Sequence, residues 1–199
     1  VSYFEKIIQE LEQKGYSYVS KILDDKSLES INAYFQEKKS EFQASKVGIQ
    51  GHQGRIESIR GDFTLWLDPL KPEAPFVDII LFLNSLKENV NAKLFLGLKE
   101  YECHLAFYPP GSNYQKHLDC FQTDSSRRLS FVFYLNLEWE ETNKGEIVIY
   151  DKNDFVIESF YPLPGSFLCF ISDEFPHEVR SSSKERRSLT GWMHNKIIY

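Results

Sequence analysis

Cysteine is scarce in this chain, with three in 199 residues. Their number is odd, and Cys103, Cys120 and Cys169 show no CxxC spacing. That argues against a disulfide framework or a structural zinc site, and for reduced thiols in a cytoplasmic setting. Long apolar runs are missing, so no segment reads as a membrane span. The chain starts Val-Ser-Tyr, without a basic-then-apolar leader. Positive charge is in deficit: 23 Lys and Arg against 29 Asp and Glu leave a net charge of −6. This balance argues against a broad nucleic-acid or anionic-membrane surface and leaves room only for a local basic groove. No internal repeat and no low-complexity tract is present.

Aromatic residues are abundant, at 15%, with 16 Phe and 11 Tyr. These types favour strands, so a β-rich core is expected. The first half nevertheless carries helical spacing. Phe4, Ile7, Ile8 and Leu11 share one helical face, which Gly15 can end. Residues 16–19 read as a short strand. Asp24 or Asp25 can cap a second helix bearing Leu28, Ile31 and Phe35. The stretch 44–58, with Gly48, Gly51 and Gly54, reads as a mobile loop. Residues 63–67 are strand-like. Pro75 stands where a first-turn proline would, ahead of Phe76, Ile79, Ile80, Leu83, Leu86, Val90 and Leu94 at helical spacing.

From residue 100 the texture changes to short aromatic and β-branched runs at 100–108, 128–136, 145–150, 154–160, 166–171 and 186–194. Turn residues separate them, such as Pro109-Pro110-Gly111 and Pro164-Gly165. The expected fold is mainly β with supporting helices, a sandwich or jelly roll with helices packed on one sheet. One domain is expected over 1–199. Residues 1–99 would supply helical support, a few strands and the loop, and residues 100–199 the catalytic core.

His117-Leu118-Asp119 places an imidazole and a carboxylate at i and i+2, on one face of an extended chain. Alone the pattern is common. Pro176-His177-Glu178-Val179 lies between two strand-like segments that a sandwich can bring beside the first. Two imidazoles and one carboxylate on one side of an ion leave open positions, the arrangement of non-haem Fe(II) oxygenases. A 2-oxo acid and O2 could fill those positions. Taken singly, each of the three residues reads better as an ordinary strand or loop residue. His104 and His194 lie in strand-like segments without a carboxylate at matching spacing, and His52 lies in the mobile loop, so all three are read as structural.

Strand 186–194 alternates. Arg186, Ser188, Thr190 and Trp192 share one face; Arg187, Leu189, Gly191 and Met193 share the other. An interior guanidinium could grip a carboxylate in a bidentate fork, and either arginine could equally be a solvated strand charge. In strand 128–136, Leu129, Phe131, Phe133 and Leu135 form one apolar face, while Ser130, Val132 and Tyr134 form the other. Tyr134 could donate to the same carboxylate or serve as a core tyrosine.

Residues 100–194 resemble the catalytic core of Fe(II)/2-oxoglutarate dioxygenases. They look most like the prolyl 4-hydroxylases that sense oxygen through hypoxia-inducible factor, and their bacterial relatives. The matching text is Tyr108-Pro109, His117-Leu118-Asp119, Tyr134-Leu135-Asn136 with Trp139, and Gly145-Glu146-Ile147. It continues with Pro164-Gly165, Phe170 to Ser172, Pro176-His177-Glu178-Val179, Arg186, Thr190 and Trp192. Upstream, Arg60-Gly61-Asp62 and Trp66 resemble a further element of the prolyl hydroxylase branch.

The resemblance implies a double-stranded β-helix, a cupin-like jelly roll, packed by N-terminal helices. It implies iron held by His117, Asp119 and His177. It implies 2-oxoglutarate held by Arg186, and not Arg187, with Tyr134, Thr190, Tyr108 and Ile147 lining its pocket. It implies Arg60, Asp62, Arg127 and Trp192 near the substrate, and a substrate-covering loop around 47–58. The expected cofactors are Fe(II), 2-oxoglutarate and O2, with ascorbate as reductant. The expected partner is a protein or peptide bearing a target proline; no membrane or nucleic-acid partner is expected, and the chain is expected to be a monomer. Rival readings are the same chemistry on another residue, a small molecule or alkylated nucleic acid, and a non-catalytic cupin-like metal-binding sensor.

Overall fold

Ser2 and Glu5 form a reciprocal capping box at the start of α1 (Tyr3–Lys14). The Glu5 amide donates to the Ser2 hydroxyl at 3.2 Å, and the Ser2 amide donates to the Glu5 carboxylate at 2.8 Å. Gly15 ends the helix at φ 78°, where a Cβ would be strained and would strike the Phe175 ring. The chain then enters β1 (Tyr16–Val19). Asp24 caps α2 (Asp25–Glu37) by accepting the Ser27 amide at 2.8 Å. The computed structural model describes residues 2–45, 47–49, 52–54, 60–120 and 125–198, with 47–49 and 52–54 described by backbone alone.

The segment expected to be a loop at 44–58 begins in a strand. Residues 43–44 form β2 (Gln43–Ala44), and β3 (Val47–Ile49) pairs antiparallel with β4 (His52–Gly54). His52 thus sits in a strand rather than in loop. The remaining positions, 46, 50, 51 and 55–59, lie outside the described residues, and so does any mobility expected of them. After β5 (Phe63–Leu67), residues Ala74–Phe76 make a 3-10 turn before α3 (Val77–Leu94). Pro75 therefore stands just ahead of the α-helix rather than within its first turn. Its fixed φ and missing N–H suit that approach.

Eight strands follow: β6 (Glu100–Tyr108), β7 (Tyr114–His117), β8 (Arg127–Tyr134), β9 (Ile147–Tyr150), β10 (Val156–Phe160), β11 (Phe167–Ile171), β12 (His177–Val179) and β13 (Arg186–His194). The larger sheet has the order β1-β11-β8-β13-β6-β5-β2, and the smaller has the order β10-β9-β12-β7. Neighbours in both are antiparallel. The architecture is thus a mixed α/β fold of two sheets with N-terminal helices. The strand runs expected from sequence are present, with ends moved by no more than two residues. β7 and β12 are additions, because both are too short and polar to stand out by pattern.

Alternation along the larger sheet creates two cores. One face, with Cys103, Leu105, Leu129, Phe131, Phe133, Leu189 and Met193, packs on Ile7, Leu11, Leu28, Ile31, Ile79, Leu83, Leu86 and Val90 of the three helices. The opposite face, with Ala106, Tyr108, Val132, Tyr134, Leu168 and Phe170, packs on Ile147, Ile149 and Val179 of the smaller sheet. Phe131 and Phe133 are fully buried, and each such burial contributes roughly 1.5–3 kcal/mol. No described helix is long and apolar enough to cross a membrane.

Register aligns the second face into rows across strands. Trp66 lies opposite His104, His104 opposite Thr190, and Thr190 opposite Val132. Close approach of β13 to β6 and β8 needs a glycine at 191, since a Cβ there would meet the Glu102 carbonyl and the Phe131 ring. A carbonyl in a sheet ladder cannot move aside as a side-chain tip can. Gly191→Ala should therefore lower stability by about 1–3 kcal/mol, as overpacking does, measured by urea unfolding. A variant as stable as the parent would show that the strands can separate freely at this point.

Candidate metal centre and adjoining pocket

His117 and His177 face each other across the β7–β12 pair, and their ring centroids are 4.3 Å apart. The His117 Nδ1–H donates to the Gln115 carbonyl at 2.8 Å, and the His177 Nδ1–H to the Phe175 carbonyl at 3.0 Å. These bonds select the tautomer in which each Nε2 carries a lone pair. Asp119 lies two residues beyond the end of β7, in a bend rather than in the extended strand that the i, i+2 reading assumed. Its two oxygens still reach the imidazoles: Oδ1 is 3.6 Å from His117 Nε2, and Oδ2 is 3.6 Å from His177 Nε2. One donor atom from each residue lies within 4.8 Å of the others, so one ion can contact all three.

The larger sheet fixes the carboxylate. Ser130 on β8 donates to Asp119 Oδ2 at 2.7 Å, and its hydroxyl also meets that of Ser172 at 2.9 Å. Burial pushes the His177 imidazole down to about 4, against the pull of Asp119, so the ring is neutral at ordinary pH. Burial would raise Asp119, but His177, His117 and the Ser130 hydroxyl outweigh it and hold the carboxyl well below the usual range. Metal ligation requires these deprotonated forms, and the fold supplies them. Tyr114 stacks on the His117 ring at 3.7 Å, and Phe170 meets the His177 ring edge-on at 4.8 Å.

Behind the triad lies a cavity of about 40 Å³, lined among others by Arg186, Thr190, Tyr108, Ile147 and Val179. Arg186 is 2% exposed. Its Nε donates to the Gly145 carbonyl at 3.0 Å, and no ion pair to a carboxylate is formed among the described residues. Its guanidinium carbon is 5.2 Å from the ring centres of both Tyr108 and Tyr134. The Tyr134 hydroxyl is buried without a protein hydrogen-bond partner, and burial raises it beyond its ordinary range. A buried, unpaired guanidinium beside an orphaned hydroxyl is unfavourable unless a ligand anion completes it. Arg187 is different: it pairs with Glu185 at 2.6 Å and donates to Asn32 at 2.7 Å on the helix side. The donor set and this anion-seeking pocket fit an Fe(II) ion with a dicarboxylate cosubstrate.

In front lies a cleft of about 870 Å³. Arg60, Arg127 and Trp192 line it. Asp62 does not. It is 1% exposed and holds Arg60 in a fork, at 2.6 Å to Nε and 2.9 Å to Nη2, with Ser45 donating to it at 3.0 Å. The Arg60 guanidinium stays charged on that account and lies 4.6 Å over the Tyr114 ring. Arg127 is tied to Glu102 at 2.7 Å and stacks 3.8 Å over Trp192. Glu102 in turn meets His194, whose other nitrogen contacts Ser126 at 3.1 Å.

Sequence reading missed Ser130 as the support of Asp119, and it missed His104. His104 is buried against Trp66 and Trp192 and lines both cleft and cavity. A signal existed, because His104, Ala106 and Tyr108 share one strand face and Tyr108 was already assigned to the pocket.

Comparison with known proteins matches residues 103–194 to the 2OG-Fe(II) oxygenase superfamily. The chain is similar to a prolyl-4-hydroxylase of Pseudomonas putida, with 30% identity, a TM-score of 0.85, and coverage of 98% of this chain and 100% of that one. It resembles a Trichoplax adhaerens prolyl hydroxylase, solved with a hypoxia inducible factor oxygen degradation domain peptide fragment. There identity is 20%, the TM-score 0.84, and coverage 96% and 89%. A viral collagen prolyl hydroxylase from Paramecium Bursaria Chlorella virus-1 matches at 19% identity and TM-score 0.62, covering 92% of this chain and 97% of that one. The chain belongs to the 2OG-Fe(II) oxygenase superfamily, and its site is that of an Fe(II)/2-oxoglutarate-dependent oxygenase.

Ser130→Ala should weaken metal binding about 10- to 100-fold, the usual effect of removing a ligand's support, with His117 and His177 intact. Competition with a chelator at fixed Fe(II) or Co(II) checks this. Unchanged affinity with an unchanged melting temperature would remove Ser130 from the centre.

Proposed function

We propose that this protein hydroxylates a prolyl residue of a protein or peptide, consuming 2-oxoglutarate and O2 and releasing succinate and CO2. The observation that carries the reading is one inter-sheet space holding both the two-histidine, one-carboxylate set and the unpaired Arg186 behind it. Similarity to three prolyl hydroxylases supports the choice of proline. On this reading the two sheets are those of a double-stranded β-helix, and residues 1–199 are one oxygenase domain. A reducing, cytoplasmic setting would suit three cysteines without CxxC spacing. Ascorbate would serve as reductant, and the enzyme would work as a monomer.

Bound iron with its cosubstrate supplies the oxidising power for C–H hydroxylation. The chain's own residues do the rest. His117, Asp119 and His177 would hold the ion and leave room for further ligands. Arg186 would fork the distal carboxylate of 2-oxoglutarate, with the Tyr134 hydroxyl donating to it, and Thr190, Tyr108 and Ile147 would shape the walls. This seats the cosubstrate in one orientation and excludes water from it. Arg60, held by Asp62, would meet the substrate at the cleft with Arg127 and Trp192.

Arg186→Ala should lower 2-oxoglutarate affinity about 100-fold or more, while metal binding stays near the parent value. A metal-binding sensor without turnover would lose neither property, so equal 2-oxoglutarate binding in the variant would favour that rival. The substrate is tested by mass spectrometry of host-cell proteins, comparing active enzyme with Asp119→Ala. Proline residues gaining one oxygen are expected only with active enzyme. A complete lack of such sites would redirect the proposal to small molecules or other residues.

A further inference from the structure

Trp139 lies outside the metal ligands and outside the walls of both cleft and cavity. What it touches is a turn. Its indole Nε1–H donates to the Lys144 carbonyl at 3.0 Å, and its ring packs on Gly145, where a Cβ would come within 3.1 Å of Cζ2. Lys144 follows the 3-10 turn Glu141–Asn143 and holds φ 57°, ψ −142°, close to a region that glycine alone enters without strain. Its side chain is exposed, so packing of that side chain does not impose the conformation. Backbone bonds fasten the flanks of the turn: the Ser183 amide donates to the Asn143 carbonyl at 3.0 Å, and the Arg180 amide to the Glu146 carbonyl at 3.0 Å. Between them, the Lys144 carbonyl accepts the indole N–H, and the next carbonyl, that of Gly145, accepts Arg186 Nε at 3.0 Å.

We infer that Trp139 is a positioning residue for 2-oxoglutarate: it holds a strained turn in place, and that turn aims Arg186. A guanidinium carries its five N–H donors in one rigid plane. The Gly145 carbonyl engages Nε, which orients that plane and leaves the Nη1–Nη2 edge as the fork for a carboxylate. Two parallel bonds need one orientation, so a small rotation of the plane loses one of them. The direction of the Gly145 carbonyl depends on the backbone angles just before it, and those of Lys144 are unfavourable for a residue with a Cβ. Without the indole N–H, Lys144 relaxes toward negative φ, and the Gly145 peptide turns with it. The metal ligands are held by other groups, through the Gln115 and Phe175 carbonyls and the Ser130 hydroxyl. Trp139 therefore acts on the cosubstrate and not on the metal. The inference rests on Arg186 as the seat of the distal carboxylate, and it adds what aims that residue.

The test uses full-length protein loaded with Zn(II) in place of iron, so that no reaction occurs, well below the melting point of every variant. 2-Oxoglutarate is titrated by calorimetry, and Zn(II) affinity is read by competition with a chelator. Trp139→Phe keeps a ring and loses the N–H. It should bind 2-oxoglutarate about tenfold more weakly, the scale at which losing an outer support weakens a ligand, with Zn(II) affinity unchanged. Adding Lys144→Gly should bring 2-oxoglutarate affinity back to within about threefold of the parent, because glycine holds this turn without strain. A tryptophan that only fills space would give a loss that glycine at 144 does not mend. Parent-like 2-oxoglutarate affinity in folded Trp139→Phe overturns the inference. So does an equal loss of Zn(II) affinity, or a double variant no better than the single one. If Trp139→Phe does not fold, position 144 decides: Lys144→Val should bind 2-oxoglutarate about tenfold more weakly than Lys144→Gly at equal Zn(II) affinity, and equal binding by the two overturns the inference. Arg186→Ala that binds 2-oxoglutarate as the parent does would sink the reading of Arg186 itself. A loss in Arg186→Ala with none in Trp139→Phe would sink only the role of Trp139.

Discussion

The site depends on the antiparallel pairing of two very short strands, β7 and β12, which sets His117 opposite His177. That single register brings two imidazoles to contact distance. Backbone carbonyls two residues back in the chain then choose the tautomer that exposes both lone pairs. The third ligand, beyond the strand end, is held by Ser130 from the other sheet. The centre is therefore a joint between sheets, and its geometry lasts only as long as the two inner faces stay packed.

Charge is distributed with the same economy. Three arginines near the site or its supporting strand are tied down: Arg60 by Asp62, Arg127 by Glu102, and Arg187 by Glu185. Arg186, by contrast, is buried without a carboxylate partner among the described residues. The strongest anion attraction thus lies at the deep end of the space, behind the metal ligands. The entrance is left to aromatic rings and paired charges. An anionic cosubstrate and a neutral polypeptide would be sorted by depth.

Much of this was legible from residue order. Alternation in strand 186–194 separated Arg186 from Arg187, because a strand with one helix-facing side and one interior side must place neighbours oppositely. The helix caps at Ser2 and Asp24 and the stop at Gly15 follow from local hydrogen bonding and φ freedom, which short segments carry by themselves. β7 and β12 were not legible. They have four and three residues, mix polar with apolar positions, and carry a register shift between His177 and Val179. Pairing partners, not propensity, make them strands. His104 was passed over for a related reason. No motif marks it, and its meaning comes from Trp66 and Trp192 on two adjacent strands.

Sequence by itself determined the chemical inventory, the inner and outer face of each long strand, and the family text around His117, His177 and Arg186. Those are properties of residue type and of spacing along one chain. Tertiary structure decided which groups meet: that Ser130 grips Asp119, that Asp62 serves Arg60 rather than the cleft, and that His104 lines both cleft and cavity. Such contacts join residues distant in the chain, and their energies exist only once two sheets exclude water between them.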